Sequence, residues 1–166
     1  IILGIASSGA HSNGYSLIRK VITTNHIDLQ SNFDGSTLAN VLMAPTKIYV
    51  KSILKLIESI EIRAMAHITG GGITENKPRI LPKGLSAVID KKSWKLPLLF
   101  EWLKDEAGLN DIELYKTFNC GIGMAIMVAK DDVEKATEIL KASGEEVFVI
   151  GEVKKISNND VPVQYI

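Results

Sequence analysis

Residues Ser7-Ser8-Gly9-Ala10-His11-Ser12-Asn13-Gly14 bring three serines, two glycines, a histidine and an asparagine into one short run. Hydroxyls and backbone N–H groups at that density can surround an anion such as phosphate. The positive end of a following helix would stabilise it further. Serine, glycine and asparagine also form ordinary tight turns, which is the plainer alternative. The run does not end in Gly-Lys-Ser/Thr, so a Walker-type nucleotide loop is not indicated. His11 has an unperturbed pKa of about 6.5, which suits a phosphate donor or an acid/base group. A structural hydrogen-bonder is equally compatible with the residues alone.

Two further runs carry the same kind of signal. His67-Ile68 leads into Thr69-Gly70-Gly71-Gly72, followed by Thr74-Glu75-Asn76. Successive glycines admit positive φ and let backbone approach a ligand closely, at a cost in chain entropy. The alternative is a loop that only ends a strand. Phe118-Asn119-Cys120-Gly121-Ile122-Gly123 reads as a turn entering a strand, again with glycines spaced for close backbone approach. No lysine or histidine adjoins Cys120 to lower its pKa, so a small buried residue beside a site is expected rather than a nucleophile. No Cys/His set has metal-ligand spacing, and no metal residue is assigned. His67 reads as a core or strand-end histidine and His26 as a surface residue. Glu101, Asp105 and Glu106 read as a solvated face.

These runs need elements to hold them. Ile1–Ala6 reads as a short buried strand and Tyr15–Thr24 as a helix. Asn25–Asn40 is polar and turn-rich, with a turn signal at Asp34-Gly35. The spacing of Ile48, Val50, Ile53, Leu54, Ile57 and Ile60 predicts a helix over 48–60 with these residues on one face. Pro45 stands just ahead of it. Strands are expected at 62–68, 87–89 and 122–129, with a last one at 146–153. Helices are expected at 98–103, with Pro97 in the first turn, and at 111–116. A further helix is capped by Asp131 or Asp132, buries Val133, Ala136, Ile139 and Leu140, and ends at Gly144. Residues 158–166 read as a tail, or as an edge strand interrupted by Pro162. The mixed order favours an α+β fold, a mixed β-sheet with helices packed on it, over a doubly wound one.

The bulk numbers narrow the class. A chain of 166 residues suits one domain with a real core, here 1–166. Lys+Arg and Asp+Glu are both 19, which gives no basic footprint for a nucleic-acid partner. No apolar run has bilayer length, so no membrane partner is expected. One cysteine excludes an internal disulfide and fits a reducing compartment. The opening Ile1-Ile2-Leu3-Gly4-Ile5-Ala6 starts as if in mid-strand and has no basic lead-in of a signal peptide. It reads as a cut through a longer protein.

At its three polar runs the chain resembles the aminoimidazole ribonucleotide synthetase (phosphoribosylformylglycinamidine cyclo-ligase) family. Ser7–Lys20 reads SSGAHSNGYSLIRK, like that family's hallmark loop. Ala66–Pro82 reads AHITGGGITENKPRILP, like its second signature, and Thr117–Met124 reads TFNCGIGM, like its third. Ala44–Ser52, APTKIYVKS, is similar as well. Order and spacing agree over nearly the whole chain. The resemblance implies an enzyme that uses ATP and Mg²⁺ to close formylglycinamidine ribonucleotide into aminoimidazole ribonucleotide, releasing ADP and phosphate. It further implies a cytoplasmic homodimer with two domains. This chain would be the C-terminal one, an α/β sandwich, without the N-terminal ATP-binding and dimerisation domain and inactive alone. His11 and Asn13 become the catalytic candidates. Ser7, Ser8, Gly9, Ser12 and Gly14 become candidates for phosphate or substrate binding, with Thr69, Gly70, Gly71, Gly72, Asn76, Asn119, Gly121 and Gly123. Two alternatives stand beside this reading. One is a related kinase or synthetase acting on another phosphorylated small molecule, and the other is a stand-alone anion-binding module.

Overall fold

The first apolar run becomes the middle of a sheet. In the computed structural model, which describes residues 1–76, 81–156 and 161–166, β1 (Ile2–Ala6) lies between β6 (Ile122–Met127) and β7 (Val147–Lys155) and runs antiparallel to both. The sheet extends through β4 (Ala64–His67) beyond β6, β5 (Leu85–Ile89) beyond β7, and β8 (Val163–Tyr165) outside β5. The order is β4-β6-β1-β7-β5-β8, and the β5–β8 pair is parallel. β2 (Asn32–Phe33) and β3 (Ser36–Thr37) form a separate hairpin around Asp34-Gly35.

Helices cover both faces. Alternate residues of a strand point to opposite sides, and β1 shows the result. Ile2 joins a cluster with Ile18 of α1 (Tyr15–Thr24), Leu38 and Leu42 of α2 (Leu38–Leu42), and Leu99 and Phe100 of α5 (Leu98–Ala107). Leu3 joins Ile53 and Leu56 of α3 (Val50–Ile57), and Ala136 and Leu140 of α7 (Val133–Ala142). Burial on both sides explains why β1 is a continuous apolar run rather than an alternating one. Phe100 and Phe118 are fully buried, and each contributes about 2 to 3 kcal/mol through the apolar area it removes from water. The remaining helices are α4 (Gly72–Asn76) and α6 (Asp111–Thr117). A capping box starts α6. The Glu113 N–H donates to the Asn110 side chain at 3.0 Å, and the Asn110 N–H donates to the Glu113 carboxylate at 3.1 Å.

The mixed sheet with packed helices agrees with the α+β expectation. Several local expectations need correction. The helix expected at 48–60 forms only over Val50–Ile57, and the six apolar residues do not share one buried face. Ile53, Leu56 and Ile60 are buried, whereas Ile48, Val50, Leu54 and Ile57 are exposed. The chain after the triple glycine turns into α4, and the turn-rich segment contains α2. Pro97 takes the N-cap position of α5 rather than its first turn, because its ψ of 146° is extended. Asp132 occupies the N-cap of α7 without a side-chain capping bond, since a 3-10 turn at Lys130–Asp132 already leads in. β7 is not the last strand: β8 begins directly after Pro162, as the edge-strand alternative has it.

Candidate functional site

Three loops meet at one end of the sheet because their strands are neighbours. The Ser7–Gly14 loop leaves β1, the Phe118–Gly121 turn enters β6, and the triple glycine follows β4, which pairs with β6. Buried amides bind them together. The Asn119 side chain is fully buried. Its Oδ1 accepts from the Ser7 hydroxyl at 3.1 Å and from the Gly121 N–H at 2.9 Å. Its Nδ2 donates to the Gly9 carbonyl at 2.9 Å. The Asn13 Nδ2 donates to the Ile68 carbonyl at 3.2 Å, joining the first loop to the second. The Ile68 N–H donates to the Gly123 carbonyl at 2.8 Å, joining the second to the third. Ser7, Asn13 and Asn119 thus spend polar atoms on holding the loops together.

His11 sits at the centre. It is 5% exposed and adopts φ of 55°, the left-handed region that side chains rarely occupy. Its Nε2 accepts the Ser8 N–H at 3.2 Å. The neutral ring therefore carries its proton on Nδ1, and this buried atom has no hydrogen-bond partner among the described residues. Burial, with the neighbouring His67 and Lys47, pushes its pKa down to about 4. The rings of His11, Tyr49 and His67 lie 5.8 to 6.2 Å apart, centroid to centroid. Gly123 lets this cluster close: a Cβ there would overlap the Tyr49 hydroxyl and lie 2.6 Å from His11 Cε1. Gly72 does the same for the second loop. With φ of 56°, its missing Cβ would fall on the Tyr115 and Phe118 carbonyls.

The other expected residues distribute around this centre. The Ser8 hydroxyl donates to the Pro45 carbonyl at 2.6 Å. Ser12 is exposed, and its hydroxyl lies 3.4 Å from that of Thr46. Gly14 is the N-cap of α1, and no side chain among the described residues caps this helix. Thr69 and Gly70 are exposed in the second loop, Gly71 has φ of 94°, and Gly121 packs against Pro97. The side chain of Asn76 lies outside the described residues. Cys120 is fully buried, and burial raises its pKa, as expected for a packing residue.

Sequence reasoning assigned no role to the segment after α2. The Lys47 ammonium pairs with Glu145 at 2.7 Å, and the buried Ser52 hydroxyl donates to the same carboxylate. The Lys47 N–H points at His11 Nε2 from 3.5 Å, and the Tyr49 hydroxyl donates to the Ala6 carbonyl at 2.9 Å. Glu145 follows the Gly144 that ends α7, almost a hundred positions from Lys47, so only a three-dimensional arrangement reveals the pair. Their proximity holds residues 45–49 against the first loop.

Comparison with known proteins identifies the family. Residues 1–163 match the family described as "AIR synthase related protein, C-terminal domain". Phosphoribosylformylglycinamidine cyclo-ligase of Methylobacillus flagellatus is 54% identical over 154 residues, covering 93% of this chain and 44% of the relative. That of Cupriavidus pinatubonensis is 52% identical over 155 residues, with the same coverage. The chain therefore spans less than half the length of these relatives. Among solved structures, thiamine-monophosphate kinase from Stenotrophomonas maltophilia superposes with a TM-score of 0.62 at 15% identity, over 99% of this chain and 49% of that one. Hydrogenase maturation protein HypE gives 0.60 at 15%, over 98% and 49%. These two show a shared fold. A family match spanning nearly the whole sequence, with relatives more than half identical, makes this chain a member of the AIR synthase related family, C-terminal domain.

Proposed function

We propose that this chain is the C-terminal half of a two-domain cyclo-ligase that closes formylglycinamidine ribonucleotide to aminoimidazole ribonucleotide, using ATP and Mg²⁺ and releasing ADP and phosphate. The observation that carries the proposal is the meeting of the three signature loops around a buried imidazole with one unpartnered nitrogen, in a chain so similar to proteins of that name. An amide oxygen is a poor leaving group. ATP supplies the phosphoryl group that lets this oxygen depart as phosphate, while the amidine nitrogen closes the ring. The transition state develops negative charge on oxygen, and a fixed neutral donor stabilises it without reorganisation. The neutral His11 ring, at the meeting of the loops, is the candidate for such a donor, and its Nδ1 is buried in this structure. A ring whose pKa is depressed to about 4 is a weak proton acceptor at neutral pH, so the donor role is favoured over the acid/base role. The uncapped first turn of α1 offers N–H groups and positive dipole to a phosphate. Asn13 and Asn119 act by holding the loops in place.

Among the described residues, no three His, Cys, Asp or Glu side chains meet to hold a metal ion. The remaining ATP and Mg²⁺ contacts are assigned to an N-terminal domain. Support for a covering partner comes from the exposed apolar residues Ile48, Val50, Leu54 and Ile57, which with Met65 border an open groove of about 410 Å³. The same proposal includes a cytoplasmic homodimer of the two-domain protein. No described helix is long and apolar enough to cross a membrane.

Replacing His11 by alanine in the two-domain enzyme tests the reading. Turnover is expected to fall about 10²- to 10³-fold, with formation of the imidazole product followed spectroscopically and KM measured separately. Unchanged kcat and KM would remove His11 from the mechanism. Phosphate transfer to another acceptor, with no imidazole formed by the wild type, would replace the cyclo-ligase by a related kinase.

A further inference from the structure

The turn that ends α7 delivers a buried carboxylate to the segment before α3. The Gly144 N–H donates to the Lys141 carbonyl at 2.9 Å, and the Glu145 N–H donates to the Leu140 carbonyl at 3.1 Å. With Gly144 at φ of 85°, this is a Schellman motif. It turns Glu145 inward, where the side chain is 5% exposed. The next residue joins the sheet: the Glu146 carbonyl accepts the Ala6 N–H at 2.9 Å, at the root of the Ser7–Gly14 loop. Glu145 is thus fixed by α7 on one side and by the start of that loop on the other.

Its two carboxylate oxygens are divided between partners. One takes the Lys47 ammonium at 2.7 Å, and the other takes the Ser52 hydroxyl. Lys47 and Ser52 stand on either side of Tyr49, the N-cap residue of α3. The Tyr49 hydroxyl donates to the Ala6 carbonyl at 2.9 Å, and its ring lies 6.2 Å from that of His11. The Lys47 N–H also faces His11 Nε2. A buried carboxylate deprived of its partners is costly, so Glu145 and the chain flanking Tyr49 hold one another in one arrangement. Among the described residues Glu145 makes no hydrogen bond to His11, and its route to the imidazole runs through Lys47 and Tyr49.

We propose that Glu145 is a positioning residue for His11: by gripping Lys47 and Ser52 it seats Tyr49 and the Lys47 N–H against the imidazole and keeps water from the ring. Its effect on turnover rests on the proposed function, whereas its effect on the imidazole does not.

The test compares Glu145→Leu, which cuts both ties, with Glu145→Gln. The Gln amide oxygen can still accept from Lys47, while the Ser52 hydroxyl turns to accept from the amide NH₂ group. NMR on this chain reads the NOEs between the Tyr49 and His11 ring protons and the His11 titration midpoint. The titratable groups facing that ring are His67 from β4 and Lys47 and Tyr49 from the segment before α3, with Glu145 behind Lys47. In Glu145→Leu the NOEs should lose most of their intensity. The midpoint should rise from about 4 by about one pH unit or more, as the ring gains water. Glu145→Gln should keep the wild-type NOEs. Asn110→Ala, weakened at α6, should leave both readings unchanged, which separates positioning from loss of stability. If Glu145→Leu does not fold, Lys47→Leu cuts the same tie at its more exposed end and should weaken the same NOEs. In the two-domain enzyme, Glu145→Leu should lower kcat about 10- to 100-fold with KM changed less than about twofold, the split produced by misplacing a group that acts in the transition state. Glu145→Gln should recover most of that loss. Unchanged NOEs in Glu145→Leu or its substitute Lys47→Leu, or an unchanged kcat, would overturn the assignment. So would a midpoint that falls in Glu145→Leu, the mark of a Lys47 held in place without its carboxylate. Weakened NOEs and a raised midpoint, with no imidazole product formed by the wild-type two-domain protein, would defeat the cyclo-ligase reading and leave the positioning of His11 intact.

Discussion

His11 illustrates how much one side chain can be asked to do. The residue type and its company of serines and glycines were enough to mark it in the sequence, but not to choose between donor, acid/base and structural roles. Three-dimensional neighbours support the proposed donor role over the acid/base one: the Ser8 N–H occupies Nε2, Lys47 and His67 stand close by, and burial disfavours the charged ring. The consequence for stability has a definite sign. The unfolded chain takes up a proton at His11 near pH 6.5, whereas the folded chain resists it to about pH 4. The unfolded state therefore binds more protons in this window, and stability falls as pH drops through it, by at most about 2 to 3 kcal/mol. Denaturant unfolding between pH 7 and pH 4 should show this loss, and His11→Asn should flatten it. NMR titration should find the His11 ring neutral from pH 8 to pH 5.5. A His11 midpoint near 6.5 would contradict the account. The Lys47–Glu145 pair was invisible at this scale, because sequence distance conceals a contact made across the whole domain.

Elements were legible where periodicity and boundaries agreed. β1, α1, α6 and α7 appear close to their expected positions because apolar spacing, a capping residue or a terminal glycine marks each one. α2 and α4 were missed, since five residues are too few to establish a period and glycine is a poor helix former. The glycines of the site act through the elements they allow to approach. Gly123 in β6 faces Tyr49 and His11, so Gly123→Ala forces the residues at 11 and 49 apart. It should cost about 1 to 3 kcal/mol, the range for overpacking a closed interior, and should lower turnover beyond that loss of stability. Thermal melting and kcat measured on the same variant would separate the two effects. At α6, Asn110→Ala removes the capping box and should cost about 1 kcal/mol without touching the site. A variant as stable as wild type would mean that the cap contributes nothing.

On the scale of the whole molecule, α3 was read in the right place with the wrong face. It carries one wide apolar stripe, with Lys51, Ser52 and Lys55 on the opposite side. Ile53 and Leu56 satisfy one side, while Ile48, Val50, Leu54 and Ile57 remain exposed beside the edge strand β4. The periodicity identified the helix but could not say which apolar side this domain itself uses. Replacing Ile48 and Leu54 together by aspartate should leave the melting temperature of this chain within a few degrees, because surface changes are usually worth about 0.5 kcal/mol or less. It should reduce self-association in sedimentation velocity and destabilise the two-domain protein. A large loss of stability in the isolated chain would show that the face already packs within the domain. The single thiol gives the molecule a clock as well. Cys120 lies fully buried at the turn where β6 begins, so a thiol reagent can reach it only when that turn opens. Its labelling rate under native conditions, set against the unfolded chain, measures how often the three loops part, and a ligand that locks them together will lengthen the interval.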